Sequence, residues 1–149
     1  MIERAAHLLR SHVVGIVLAG RDRKGWVGLR DRPSSGLGPL GGIAAALHYA
    51  ASHGYDRVLT IGCDMPSVPA NLFTALIDSA PAYCREAPIL GCWPSSLAPA
   101  LDNHVEKDSN RSIRGWAEHV SAAAIEASEP LANINTPADL SISCLRREP

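Results

Sequence analysis

The feature that most constrains this chain is the run Val58-Leu59-Thr60-Ile61, set between the turn-like His53-Gly54-Tyr55-Asp56 and the stop Gly62-Cys63-Asp64-Met65-Pro66. A short apolar, β-branched run bounded by turn signals reads as a strand buried on both faces of a parallel sheet. Pro66 and Pro69 prevent that strand from continuing. Asp64 follows just past its carboxyl end, the edge at which open α/β sheets bind their ligands. Asp64 is therefore the leading functional candidate. Its alternative role is a cap for the turn at 66–69.

The chain has 149 residues, enough for one domain with a substantial core. An apolar fraction of 46% argues for a globular fold, and a net charge of −1 offers no basic excess to attract nucleic acid. No apolar run approaches the roughly 20 residues that span a bilayer, and the N-terminus carries no signal-peptide pattern. A cytoplasmic location is expected, without a membrane or nucleic-acid partner. The four cysteines are scattered, without Cys-x-x-Cys spacing, and read as reduced and mostly buried thiols.

Along the chain, helical periodicity covers 2–12, and the apolar run 13–19 reads as a second buried parallel strand. The charge-dense Arg21-Asp22-Arg23-Lys24 reads as a solvated loop, and 26–30 as a short strand ending at Asp31. Four glycines and two prolines crowd residues 33–42, a tight loop that feeds a helix over 43–52. Such a loop can offer backbone N–H groups to a phosphate. It lacks the Walker Lys-Ser/Thr and the Gly-x-Gly-x-x-Gly spacing, so on its own it is a weak signal. A helix is expected from Pro69 to Ser79 with Asn71 as a candidate cap, then a strand over 87–93 that Pro94 ends. Two helices over 96–105 and 113–120 and a strand over 122–125 follow. The segment 131–140 reads as a loop entering a helix, with Thr136 as N-cap and Pro137 at its first position.

Three segments together resemble the molybdenum cofactor guanylyltransferase (MobA-like) family of nucleotidyltransferases. They are Asp31 with Gly38-Pro39-Leu40-Gly41-Gly42-Ile43, then the strand at 58–61 with Cys63-Asp64-Met65-Pro66, then Asn133-Ile134-Asn135-Thr136-Pro137-Ala138-Asp139-Leu140. The resemblance implies a Rossmann-like three-layer α/β/α fold with a mostly parallel sheet and one nucleotide cleft. It implies transfer of GMP from Mg-GTP to the molybdenum cofactor, with release of pyrophosphate. By position, Asp64 matches the Mg²⁺-binding aspartate, and Asp31, Gly38, Pro39 and Leu40 match nucleotide-contacting positions. Asn133 and Asn135 match asparagines at the site's edge. Turn-forming roles stand beside these for Asp31, Asn133 and Asn135. Arg111 and Arg114 are candidates to grip a pterin phosphate, or else a solvated pair at a helix start.

The resemblance begins at Ile2-Glu3-Arg4, which matches the family's first helix. The strand and glycine-rich loop that precede it in the family, with the main phosphate grip and lysine, have no counterpart in this sequence. The motif Leu18-Ala19-Gly20 does not supply it, because Arg21 stands where a second glycine belongs. A single domain over 1–149, N-terminally incomplete, is expected. In the family that first strand sits beside the counterparts of 13–18 and 58–61, and here those two strands are expected to close directly onto each other. Three readings follow: a guanylyltransferase-like enzyme using GTP, or CTP, with Mg²⁺; a catalytically impaired paralogue that binds nucleotide or cofactor; or a structural partner with an open sheet edge. A homo-oligomer belongs with the last of these.

Overall fold

The computed structural model describes residues 2–20, 22–62, 65, 67–107, 111–129, 131 and 141–146, the last six as backbone. The chain runs α1 (Ile2–Leu9), β1 (Gly15–Ala19), β2 (Val27–Leu29), α2 (Pro39–Ser52), β3 (Arg57–Gly62), α3 (Ala70–Asp78), β4 (Ala82–Cys84) and β5 (Gly91–Pro94). A 3₁₀ turn at Ser95–Leu97 leads into α4 (Ala98–Lys107), then α5 (Ile113–His119), β6 (Ala123–Ile125) and β7 (Ser141–Arg146). The seven strands form one sheet in the order β2-β1-β7-β3-β5-β4-β6.

The fold is the expected Rossmann-like α/β class. β1 and β2 are parallel, and β1 and β3 are each antiparallel to β7, hence parallel to each other. β5 opposes both β3 and β4, and β6 follows β4. Five of the seven strands therefore share one direction, with β5 and β7 reversed. α2 packs on β1, β3 and β7 and against α4, whereas α3 packs on β4, β5 and β6. His12, just after α1, meets Phe73 of α3 with ring centroids 5.0 Å apart.

β3 has the burial its sequence implies: Val58, Leu59, Thr60, Ile61 and Gly62 are all buried. Thr60 is tolerated there because its Oγ1 donates to the Ile89 carbonyl at 2.7 Å, which satisfies a polar group that would otherwise be costly. α2 is apolar almost all round, as a helix wedged between a sheet and a second helix must be. Trp93 of β5 and Trp116 of α5 are fully buried and meet with ring centroids 6.3 Å apart.

Direct pairing of the strands at 13–18 and 58–61 does not occur. β7 lies between them, with Val17 and Thr60 both facing Ser143. The backbone groups that direct closure was expected to satisfy are met instead by the chain's own C-terminal segment. With β7 in place, the open edge that motivated a structural-partner reading is also filled. Four smaller corrections are local. α2 begins at Pro39 rather than residue 43, because Gly38 at φ 64° caps it and Pro39 supplies a preset first residue. Asn71 does not cap α3; Pro69 holds that position, and Asn71 Nδ2 donates to Ser128 Oγ at 3.2 Å. Pro94 belongs to β5 and pairs with Arg57 rather than ending the strand before it. β4, at three residues, is too short to show a period in sequence. The expected helix start at Thr136 and Pro137 lies outside the described residues. Cys84 and Cys92 are buried, as expected.

Candidate active site

Strand direction brings the candidate residues together. β1, β2 and β3 run the same way, so their carboxyl ends share one edge of the sheet. Ala19 and Gly62 both face Ser141, which sets these two strand ends about 10 Å apart, two strand spacings. From that edge the chain leaves β1 at Gly20 and β2 toward Asp31, and β3 leads into the segment bearing Asp64. β7 starts at the same edge.

Asp31 and the start of α2 make the closest contact of the region. A Cβ added to Gly41 would lie 2.9 Å from Asp31 Cβ and 3.0 Å from its Oδ2. The Arg32 N–H donates to the Gly41 carbonyl at 3.1 Å, and the Gly41 N–H donates to the Gly38 carbonyl at 3.2 Å. The segment 31–32 is thus pinned to the first turn of α2. A side chain at 41 would push the two apart. α2 has no side-chain N-cap, so its first turn is not satisfied by a side chain of its own, and no acidic residue lies in it.

Asp31 lines a cleft of about 370 Å³ with Gly20, Asp22, Leu29, Arg30 and Ser35. Burial pushes its carboxyl up from the ordinary carboxylate range. Among the described residues it has no hydrogen-bond or ion-pair partner. Two carboxylates, one of them desolvated and unpartnered, make a hard-oxygen surface suited to a divalent cation. Among the described residues no group of three or more His, Cys, Asp or Glu could hold a metal on its own. Asp22 belongs to the charge-dense run that reads as a solvated loop, and only the turn of chain after β1 brings it to Asp31.

A second cleft of about 400 Å³ opens on the other side of Pro39. Glu86, Ile89, Arg111, Ser112 and Arg114 line it. The Arg114 guanidinium donates to the Arg85 carbonyl at 2.9 Å, and Ser112 caps α5 by accepting from the Gly115 N–H at 2.9 Å. The Glu86 carboxylate accepts from the Ala127 N–H at 3.1 Å, the main cause of its lowered pKa. The start of α2 thus touches both: Pro39 lines the arginine-edged cleft, and Gly41 lies against Asp31 of the acidic one.

Of the residues singled out in sequence, Asp31, Gly38, Pro39 and Leu40 come together here. Gly38 is the backbone cap, Pro39 borders the second cleft, and Leu40 is fully buried and anchors the turn. Asp64, Asn133 and Asn135 lie outside the described residues. The nearest described neighbours of Asp64 are Gly62 at the end of β3 and the buried Met65, whose N–H donates to the Gly62 carbonyl at 3.4 Å.

Comparison with known proteins bears on the same segments. Residues 1–123 match the MobA-like NTP transferase domain. The chain is 34% identical over 126 residues to a molybdenum cofactor guanylyltransferase of Rhodobacter capsulatus, covering 81% of this chain and 66% of that protein. It is 31% identical over 119 residues to one of Acidiphilium cryptum, covering 75% of this chain and 60% of that protein. A third, of Rhizobium leguminosarum bv. trifolii, is 34% identical over 131 residues, covering 74% and 62%. The chain thus spans a little under two-thirds of the length of the curated relatives it matches. Fold, clustered motif residues and a match over most of the sequence agree, and the chain belongs to the MobA-like NTP transferase domain family.

Proposed function

We propose that the chain acts on a guanine nucleotide and the molybdenum cofactor, transferring GMP from GTP to the cofactor's terminal phosphate with loss of pyrophosphate. The observation that carries this reading is Asp31 held against the first turn of α2, at the sheet edge where β1, β2 and β3 all end. The nucleotide would occupy the Asp31 cleft, with backbone N–H groups at 38–41 available to its polar groups. Asp64 would hold Mg²⁺, which takes one or two carboxylates and leaves its other positions to phosphates and water, and Asp31, with Asp22 beside it, would contact the nucleotide. That ion would supply neutralisation of phosphate charge. Asn133 and Asn135 would flank the nucleotide. The second cleft would take the acceptor, with the Arg111 and Arg114 guanidiniums toward its phosphate. CTP in place of GTP remains within the same chemistry.

The names of the relatives support this reading. A second reading, binding of nucleotide or cofactor without turnover, is favoured by one observation. β7 takes the place between β1 and β3 that the resemblance assigns to the family's first strand. Release of pyrophosphate from Mg-GTP in the presence of molybdenum cofactor tests the two. The first reading expects release that depends on the acceptor and falls at least about a hundredfold in Asp64→Asn, the scale at which a lost electrostatic contact slows a transition state. Saturable Mg-GTP binding without any release would establish the second reading instead.

A further inference from the structure

A third groove adjoins the Asp31 cleft and shares Leu29 and Arg30 with it. It has a volume of about 360 Å³ and runs between the end of β2 and the outer face of α2. Arg30, Arg32, His48, Tyr49 and Ser52 supply its polar lining. In the turn after β2, Asp31 lies against Gly41 and lines the acidic cleft, Arg32 lines the groove, and Arg30 lines both. No carboxylate lines the groove, and among the described residues neither guanidinium has a hydrogen-bond or ion-pair partner.

The remaining polar groups are held in place. His48 Nε2 lies 2.6 Å from Asp102 Oδ2 of α4, which fixes the imidazole and leaves Nδ1 as its other nitrogen. Tyr49 stacks on His53 with ring centroids 4.0 Å apart. Ser52 Oγ donates to the Tyr49 carbonyl at 3.0 Å, so its hydrogen is already used. The Arg32 backbone is tied to α2 through the Gly41 carbonyl at 3.1 Å. Two guanidiniums, an oriented imidazole and a phenol thus face one groove on a pinned frame.

We propose that this groove binds a phosphate-class anion, with Arg32 and His48 as its principal ligands and Arg30 shared with the acidic cleft. Guanidinium forks match the oxygens of phosphate and pyrophosphate in a bidentate manner. Because Leu29 and Arg30 line both the groove and the Asp31 cleft, the anion is either free in solution or the phosphate end of a nucleotide seated in that cleft. Only the second case rests on the proposed function.

Titration of the whole chain with inorganic pyrophosphate, without nucleotide or Mg²⁺, tests the proposal by amide chemical shifts. Saturable shifts are expected at Arg32, His48 and Tyr49. Arg32→Ala should weaken affinity about tenfold, the equivalent of one charge-assisted hydrogen bond. Arg32→Lys should weaken it less, and Asp31→Asn should leave it in place. Unchanged unfolding midpoints in the Arg32 variants would show that the frame survives. A parallel titration with Mg-GTP separates the two sources. Weakening of pyrophosphate alone by Arg32→Ala supports a free anion, and weakening of both supports the nucleotide's own phosphates. Shifts centred on Asp22 and Asp31, affinity unchanged in Arg32→Ala and His48→Gln, or shifts that never saturate, as an adventitious ion only would give, would overturn the proposal.

Discussion

Gly41 is the residue on which the site's geometry turns. Its missing side chain lets Asp31 lie against α2, and the atoms in the way of a Cβ include Asp31's own Cβ, which cannot swing aside as a flexible tip would. Gly41→Ala is expected to cost about 1–3 kcal/mol, the range for overpacking a close-packed contact. Denaturant unfolding measures it, and an alanine variant as stable as the native chain would show that the contact yields. Asp31 carries a charge at some expense to the fold. Its carboxyl is raised from the ordinary value of 3.8 by burial, so between that value and the raised one the native state holds more protons than the unfolded chain. Stability contributed at this position therefore falls as pH rises through that window. Asp31→Asn removes the charge, and its stability relative to the native chain should be greater at pH 7 than at pH 3. Unfolding midpoints across pH check this, and a difference constant with pH would exclude the burial effect. A carboxylate kept at a cost to stability, with no cation among its described partners, is a common mark of a functional site.

At the scale of elements, β7 is the central finding. Placed between two parallel strands, it must accept and donate hydrogen bonds on both sides, and proline is excluded from such a position. Ser143→Pro, at the residue facing both Val17 and Thr60, should cost about 1–3 kcal/mol through backbone groups left unpaired. Amide hydrogen exchange should then rise across β1 and β3 together. Unchanged protection in both strands would mean that β7 does not sit between them. Sequence made β3 legible because five consecutive buried positions leave a continuous apolar run. It made β1, α2 and the Asp31 region legible for similar reasons of pattern and glycine spacing. β7 was not legible: Ser141-Ile142-Ser143-Cys144-Leu145-Arg146 alternates polar and apolar residues, the pattern of a strand with one wetted face. Its central place follows from topology, which a local pattern does not encode. Asp22 was hidden in the same way, since a charge-dense run has the composition of a solvated loop wherever it is folded.

For the molecule as a whole, a mixed sheet with five strands in one direction gathers the ends of β1, β2 and β3 at a single edge. Pro39 at the start of α2 lines the arginine-edged cleft, and Gly41 in its first turn lies against Asp31 of the acidic one. Among the described residues no helix is long and apolar enough to cross a membrane. The His48–Asp102 pair at 2.6 Å links α2 to α4, so the helix that frames the site is braced at its far end as well. The account's central claim is that the Asp31 cleft binds a magnesium nucleotide. Calorimetric titration of Mg-GTP into the native chain and into Asp31→Asn tests it most directly. Saturable binding is expected, dependent on Mg²⁺ and weakened at least about tenfold in Asp31→Asn, a difference of about 1.4 kcal/mol. Binding unaltered by Asp31→Asn or by removal of Mg²⁺, or no binding by a chain whose fold is intact, would contradict it.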